Sequence, residues 1–161
     1  MIRYLGASAI VIVVATSWVS LMPPAPLMQP VNFNHAAHSD VLDCEGCHEG
    51  VTSMARAGIP QSEFCVGCHE EAPSVVSAAT WEAITNGDPI AWQRVTRVPD
   101  HTYFSHRRHA GSAGLACETC HGDVGARTDA VTVPFVVPVM DECLSCHAQE
   151  GASEDCTACH R

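Results

Sequence analysis

The chain of 161 residues carries a formal charge of −10, ten cysteines, ten histidines and eight basic side chains, all of them arginine. That charge repels a phosphate backbone and no basic stripe offsets it, which excludes a nucleic-acid binder. A disulfide-stapled secreted scaffold would scatter its cysteines at varied spacings; here all ten fall into five Cys-x-x-Cys pairs, each followed at once by His.

The N-terminus reads Met1-Ile2-Arg3-Tyr4 and then runs uncharged to Met22. At helical rise that run is roughly 28 Å long, close to the hydrocarbon thickness of a bilayer. Pro23, Pro24 and Pro26 then stop a helix. A signal peptide shares the short basic start, but its apolar core is usually about 7–15 residues and closes at an Ala-x-Ala-like site. The nearest approach, Ala15-Thr16-Ser17, lies inside the run. The expectation is a retained transmembrane anchor over residues 1–22, with Arg3 and the terminal amine favouring the cytoplasmic side. Residues 23–32 form a stiff Pro-rich spacer.

A repeat follows over residues 33–161. Unit one, 33–73, opens with Phe33-Asn34-His35-Ala36-Ala37-His38 and carries Cys44-x-x-Cys47-His48; five positions after Pro60 comes Cys65-x-x-Cys68-His69. Residues 74–100 are a linker in which Ser74 to Asp88 reads as one amphipathic helix, the one stretch beyond the spacer expected to be helical for more than two turns. Unit two, 101–161, repeats the lead-in as Phe104-Ser105-His106-Arg107-Arg108-His109, followed by Cys117-x-x-Cys120-His121. Five positions after Pro138 comes Cys143-x-x-Cys146-His147, and Cys156-x-x-Cys159-His160 closes the chain. Between them, Ala130–Val139 is β-branched but holds Pro134 and Pro138, so an extended or edge strand is the most it can form. The expected fold class is mostly irregular, with short α-helices and one N-terminal transmembrane helix.

Cys-x-x-Cys-His is the attachment motif of c-type haem. Two thiols two residues apart add across the vinyl groups of one porphyrin, and one helical turn sets the following His under the iron. Structural zinc needs four ligands, usually two separated pairs, and five Cys-Cys-His triplets do not divide that way. Iron–sulfur ligation would leave every His without a role. The reading is five covalent haems on Cys44, Cys47, Cys65, Cys68, Cys117, Cys120, Cys143, Cys146, Cys156 and Cys159. His48, His69, His121, His147 and His160 are the proximal ligands. Five further histidines, His35, His38, His101, His106 and His109, match five irons that each lack a sixth ligand. Met54 and Met140 are the rivals for that role, and Met/His ligation would raise the potential relative to bis-His. Arg94, Arg97, Arg107, Arg108 and Arg127 are expected to pair with haem propionates.

The Phe-x-His-x-x-His lead-in before Cys-x-x-Cys-His resembles the class III, cytochrome c3/c7-type multihaem proteins. A longer match runs through Ala57-Gly58-Ile59-Pro60, Trp92-Gln93-Arg94-Val95 and Pro99-Asp100-His101-Thr102-Tyr103-Phe104-Ser105-His106. It resembles the pentahaem membrane-anchored subunit of alternative complex III and its relative in menaquinone reductase complexes. The resemblance implies that His35 and His106 ligate the haems of the motifs that follow them, while His38, His109 and His101 reach other haems. It also implies an electron-transfer subunit of a quinol-oxidising complex in the bacterial inner membrane. The haem domain would face the periplasm, with other subunits of the complex as partners and a cytochrome c or terminal oxidase as acceptor.

Two other classes compete. A pentahaem nitrite-reductase type needs an open iron position, commonly with a Lys ligand, and this chain has no Lys. A free multihaem shuttle is disfavoured by the anchor. No catalytic site and no quinone pocket are expected in the chain alone. Nine aromatic residues serve the whole chain, too few for a self-sufficient core of this size. Haem-free expression should therefore give unfolded, protease-sensitive material; a compact apo-domain by circular dichroism would contradict this.

Overall fold

The computed structural model describes residues 26–160. The expected anchor at residues 1–22, the start of the spacer and Arg161 lie outside the described residues. Among those described, no helix is long and apolar enough to cross a membrane.

The described fold is mostly irregular and built on short helices. Helix α1 (His35–Ser39) starts at Asn34, whose side chain accepts the Ala37 N–H. Helix α2 (Cys44–Cys47) starts at Asp43, which accepts from Gly46 N–H at 2.7 Å. Both are N-caps of the expected chemistry. Helices α3 (Ser62–Val66) and α4 (Ala78–Thr85) follow, and then a π-helical turn, Arg107–Ser112. Helix α5 (Glu118–His121), a 3-10 turn (Val124–Ala126), α6 (Met140–Glu150) and α7 (Cys156–Cys159) complete the order. Among the described residues, extended pairing is limited to one isolated antiparallel bridge between Thr102 and His160.

Two expectations need correction. The linker helix is shorter than 74–88. The Pro73 carbonyl accepts Val76 N–H in a turn, Ser77 caps the helix at Ala78, and it ends at Asn86 before Gly87, whose φ is +80°. The longer helix is α6, at 11 residues against 8 for α4. Asp141 and Glu142 in its first turn complement the helix dipole, and Gly151 closes it in the left-handed conformation. Its cysteines interrupt the apolar pattern that a periodicity reading looks for, so the helix did not stand out. Residues 130–139 run irregularly with bends and join no ladder, although Leu27 N–H does donate to the Thr132 carbonyl at 3.0 Å.

The protein's own core is small. Among the described residues the buried apolar side chains are Val31, Ile84 and Ala130. Polar clasps join the segments instead. Gln29 Nε2 donates to the Gln93 and Val131 carbonyls, and Gln93 N–H returns a bond to Gln29 Oε1. Asn32 donates to Asp129 and accepts from Ala130 N–H, while Ala36 N–H donates to the Arg127 carbonyl. Trp92 Nε1 donates to the Pro60 carbonyl at 2.9 Å, and the buried Ser62 hydroxyl donates to the Asp88 carbonyl. These bonds lay the linker along the approach to the second motif. Each such bond nets about 0.5–1.5 kcal/mol, so together they rival what this small core can supply.

The two repeats also touch backbone to backbone. His106 N–H donates to the Ala55 carbonyl and Arg107 N–H to the Met54 carbonyl. At Gly111 the chain comes so close to Thr52 that a Cβ would overlap the Thr52 carbonyl oxygen. Gly111→Ala should therefore cost about 1–3 kcal/mol by forcing the two loops apart. Denaturant unfolding of the haem-loaded protein measures this, and an unchanged midpoint would show that the loops yield freely.

Candidate functional site: five motif turns and their facing imidazoles

All five motifs fold the same way. The His N–H donates to the carbonyl of the first Cys at 2.8 Å for His48, 3.0 Å for His69 and His121, and 2.9 Å for His160. His147 lies inside α6, in the same helical relation to Cys143. One turn therefore carries two thiols and one imidazole each time. Asp155 caps the last turn by accepting from the Thr157 N–H and hydroxyl, and these bonds hold its carboxyl below the usual carboxylate range. Burial pushes up the thiols of Cys47, Cys65, Cys117, Cys120 and Cys143.

The lead-in elements carry the other imidazoles with one geometry, used twice. Phe33 stacks on His38 with ring centres 4.5 Å apart and meets His35 edge-on at 4.9 Å. Phe104 stacks on His109 at 4.7 Å and meets His106 edge-on at 5.0 Å. Each phenyl thus braces one ring with its face and orients a second with its edge, both favourable contacts. His38 Nδ1 bonds the Asn34 carbonyl at 2.8 Å and His109 Nδ1 bonds the Ser105 carbonyl at 2.9 Å. His48 and His147 make like bonds to the Gly58 and Ser153 carbonyls. A carbonyl can only accept, so each of these Nδ1 atoms carries the proton, and a neutral ring then offers Nε2 to a metal.

Eight of the ten imidazoles meet in four pairs. Ring centres are 6.0 Å apart for His38 and His69, 5.5 Å for His101 and His160, 6.4 Å for His106 and His121, and 6.2 Å for His109 and His147. His35 lies within electrostatic reach of His48. Burial first, then the charges of His48, His38 and Arg127, push the His35 imidazole below its ordinary value. Burial and the neighbouring His106 and His48 do the same for His121. Every pair joins one motif His to one that lies outside the motifs.

Those separations suit a metal between the rings. A metal held between two imidazoles by bonds of roughly 2 Å, with about 1 Å from each nitrogen to its ring centre, would separate the ring centres by about 6 Å. With two thiols on the same turn, each motif offers the donors one c-type haem requires. Among the described residues no three His, Cys, Asp or Glu side chains converge on a single point. Met54 and Met140 are both largely exposed, and Met54 folds over Gly50. The caps Asn34, Asp43 and Asp155 and the two bracing phenyls are functional parts the sequence reading did not assign. The Asp-Cys junctions at residues 43–44 and 155–156 were the available signal, since Asp is a favoured N-cap.

Comparison with known proteins agrees with this chemistry. Residues 13–85 match the class III cytochrome c family, and residues 102–161 match cytochrome c7 and related cytochromes c. The multihaem cytochrome c subunit of menaquinone reductase from Nitratidesulfovibrio vulgaris is 28% identical over 166 residues, covering 83% of this chain and 77% of that protein. The polyhaem cytochrome OmcB of Geobacter sulfurreducens is 29% identical over 101 residues, 62% of this chain but only 11% of that much longer protein.

With an imidazole facing four motif histidines and His35 near the fifth, the oxidised haem protein should lack the near-infrared charge-transfer band of a Met-to-iron bond. Met54→Leu and Met140→Leu should leave its spectrum unchanged. Such a band, lost in either variant, would remove one imidazole from the ligand set.

Proposed function

We propose that this chain, which matches class III and c7-type cytochromes c and is homologous to the multihaem cytochrome c subunit of menaquinone reductase, is a membrane-anchored pentahaem subunit of a quinol-oxidising complex like alternative complex III. On this reading the Cys pairs of the five motifs would hold five haems, each iron taken by the motif His and by one of His35, His38, His101, His106 and His109. The haems supply one-electron redox chemistry. The chain's own groups would attach them, with Nδ1 hydrogen bonds orienting His38, His48, His109 and His147 and with Phe33 and Phe104 bracing His35, His38, His106 and His109. Residues 1–22 anchor the chain in the inner membrane, the haem domain faces the periplasm, and a cytochrome c or terminal oxidase accepts the electrons.

The observation that carries this reading is that four motif histidines each face an imidazole from outside the motifs, while His35 lies within electrostatic reach of the fifth, His48. A multihaem reductase must leave one iron open to substrate, whereas here four motif histidines have a second imidazole facing them and the fifth, His48, has His35 nearby. A second reading reverses the direction of flow. The Nitratidesulfovibrio relative is named for a menaquinone reductase, which favours electrons arriving from a periplasmic donor and leaving to a quinone-reducing partner. Both readings assign this chain the same role as conductor.

The full-length chain, tagged and extracted from membranes in detergent, should exceed its polypeptide mass by five haems and bring other membrane subunits with it. Four haems or fewer would sink the pentahaem reading. Purification as a lone soluble protein beginning beyond Ser20 would favour a diffusing shuttle, and a high-spin ferric signal in the resting protein would favour a reductase.

A further inference from the structure

Numbered by position along the chain, the five sites are Cys44–His48, Cys65–His69, Cys117–His121, Cys143–His147 and Cys156–His160. We infer that they lie in one unbranched file in the order second, first, third, fourth, fifth, so that the second and fifth sites are the two ends where partners connect. This rests on the proposed haem loading and specifies which of the chain's residues join which sites.

Each link has its own residues. Helix α1 joins the second and first sites, since His38 faces His69 while His35 lies beside His48. The first and third sites are drawn together where the loop after His48 meets the lead-in of the third motif, and the Cys44 and Cys117 thiols and the His48 and His121 rings lie within electrostatic reach of one another. The loop after His48 supports that junction, with the Ala55 and Met54 carbonyls accepting from His106 and Arg107 and with Gly111 against Thr52. The π-helical turn joins the third and fourth sites, because His106 faces His121 and His109 faces His147. Cys120 also neighbours Cys146. Cys143 neighbours Cys159, which brings the fourth and fifth sites together, and His101 completes the fifth from across the Thr102–His160 bridge.

The order along the file therefore departs from the order along the chain. A short lead-in element bearing two histidines ties each repeat internally, and the junction of the loop after His48 with the second lead-in ties the repeats through their first motifs. That leaves the second motif at an outer end. A one-electron protein carrier docked at one end and a quinone-linked subunit at the other would exchange electrons singly, each site gaining the electron its neighbour loses.

The test uses the complete haem-loaded chain. Anomalous scattering at the iron edge, from crystals of that protein, assigns each iron to the cysteine pair beside it. Nearest-neighbour order should read second, first, third, fourth, fifth, with no iron having three close neighbours. A fork, or a second-site iron nearer to the third, fourth or fifth than to the first, overturns the inference. In solution, Cys65→Ser/Cys68→Ser should shift the midpoint of one remaining haem, and Cys117→Ser/Cys120→Ser should shift two. Intact mass must first confirm four remaining haems in each variant. Equal numbers of shifted haems would contradict the file. If the unmodified chain holds other than five haems, the pentahaem reading fails; a wrong order on five haems fails only the file.

Discussion

An imidazole can be held at a fixed distance from another only if each ring is fixed on its own backbone, and the rest of this structure follows from that demand. The rings stand 5.5–6.4 Å apart in four of the pairs, too far for direct contact to set the spacing. The geometry comes instead from carbonyls that fix Nδ1 and from phenyl rings that fix the plane. A short helix suffices for this, because the bonds from His38 and His109 reach only to carbonyls four residues back. Long helices and sheets would add length without improving the aim.

The same demand explains how a chain with so little apolar core of its own can be specific. Side-chain clasps such as Gln29 on Gln93 and Val131, or Trp92 on Pro60, set where segments lie without requiring a packed interior. Large apolar side chains, Phe135 and Met140 among them, remain exposed on the protein surface. Phe135 covers the backbone at Gly122, which directly follows the third motif. Apolar surface gathered beside an attachment turn is what a porphyrin would bury, and burial of such area is the dominant stabilising term in folding. Local clasps fix direction, and the cofactor supplies the bulk.

Much of the site was legible in the sequence because its chemistry is local. Cys-x-x-Cys-His is a single turn, and the Phe-x-His-x-x-His lead-in places two rings and their brace within six residues. The spare histidines could be counted, but which motif each one faces depends on the tertiary path, as with His101 reaching His160 across 59 residues. The fold was less legible. Helix α6 was overlooked because Cys143 and Cys146 occupy its periodic positions, and the linker helix was overextended because Ser77 can cap a helix as well as interrupt one. The nearness of Cys44 to Cys117 had no sequence signal at all, since approaches between motifs carry no spacing rule.

Hydrogen bonding at Nδ1 also separates sites that composition makes look identical. A ring that donates Nδ1–H to a carbonyl becomes a more basic ligand, which favours the higher oxidation state of a bound metal and lowers its potential. His38, His48, His109 and His147 have such an acceptor. His35 does not: its Nδ1 is buried and without a partner, and Arg127 adds positive charge nearby. Both features favour the reduced form at the first site relative to a site bearing two such hydrogen bonds. The first site is an interior member of the file, so the asymmetry lies along the path between the ends. Five Cys-x-x-Cys-His turns of one design thus acquire different electronic surroundings from single backbone carbonyls, supplied or withheld by the loops that the polar clasps hold in place.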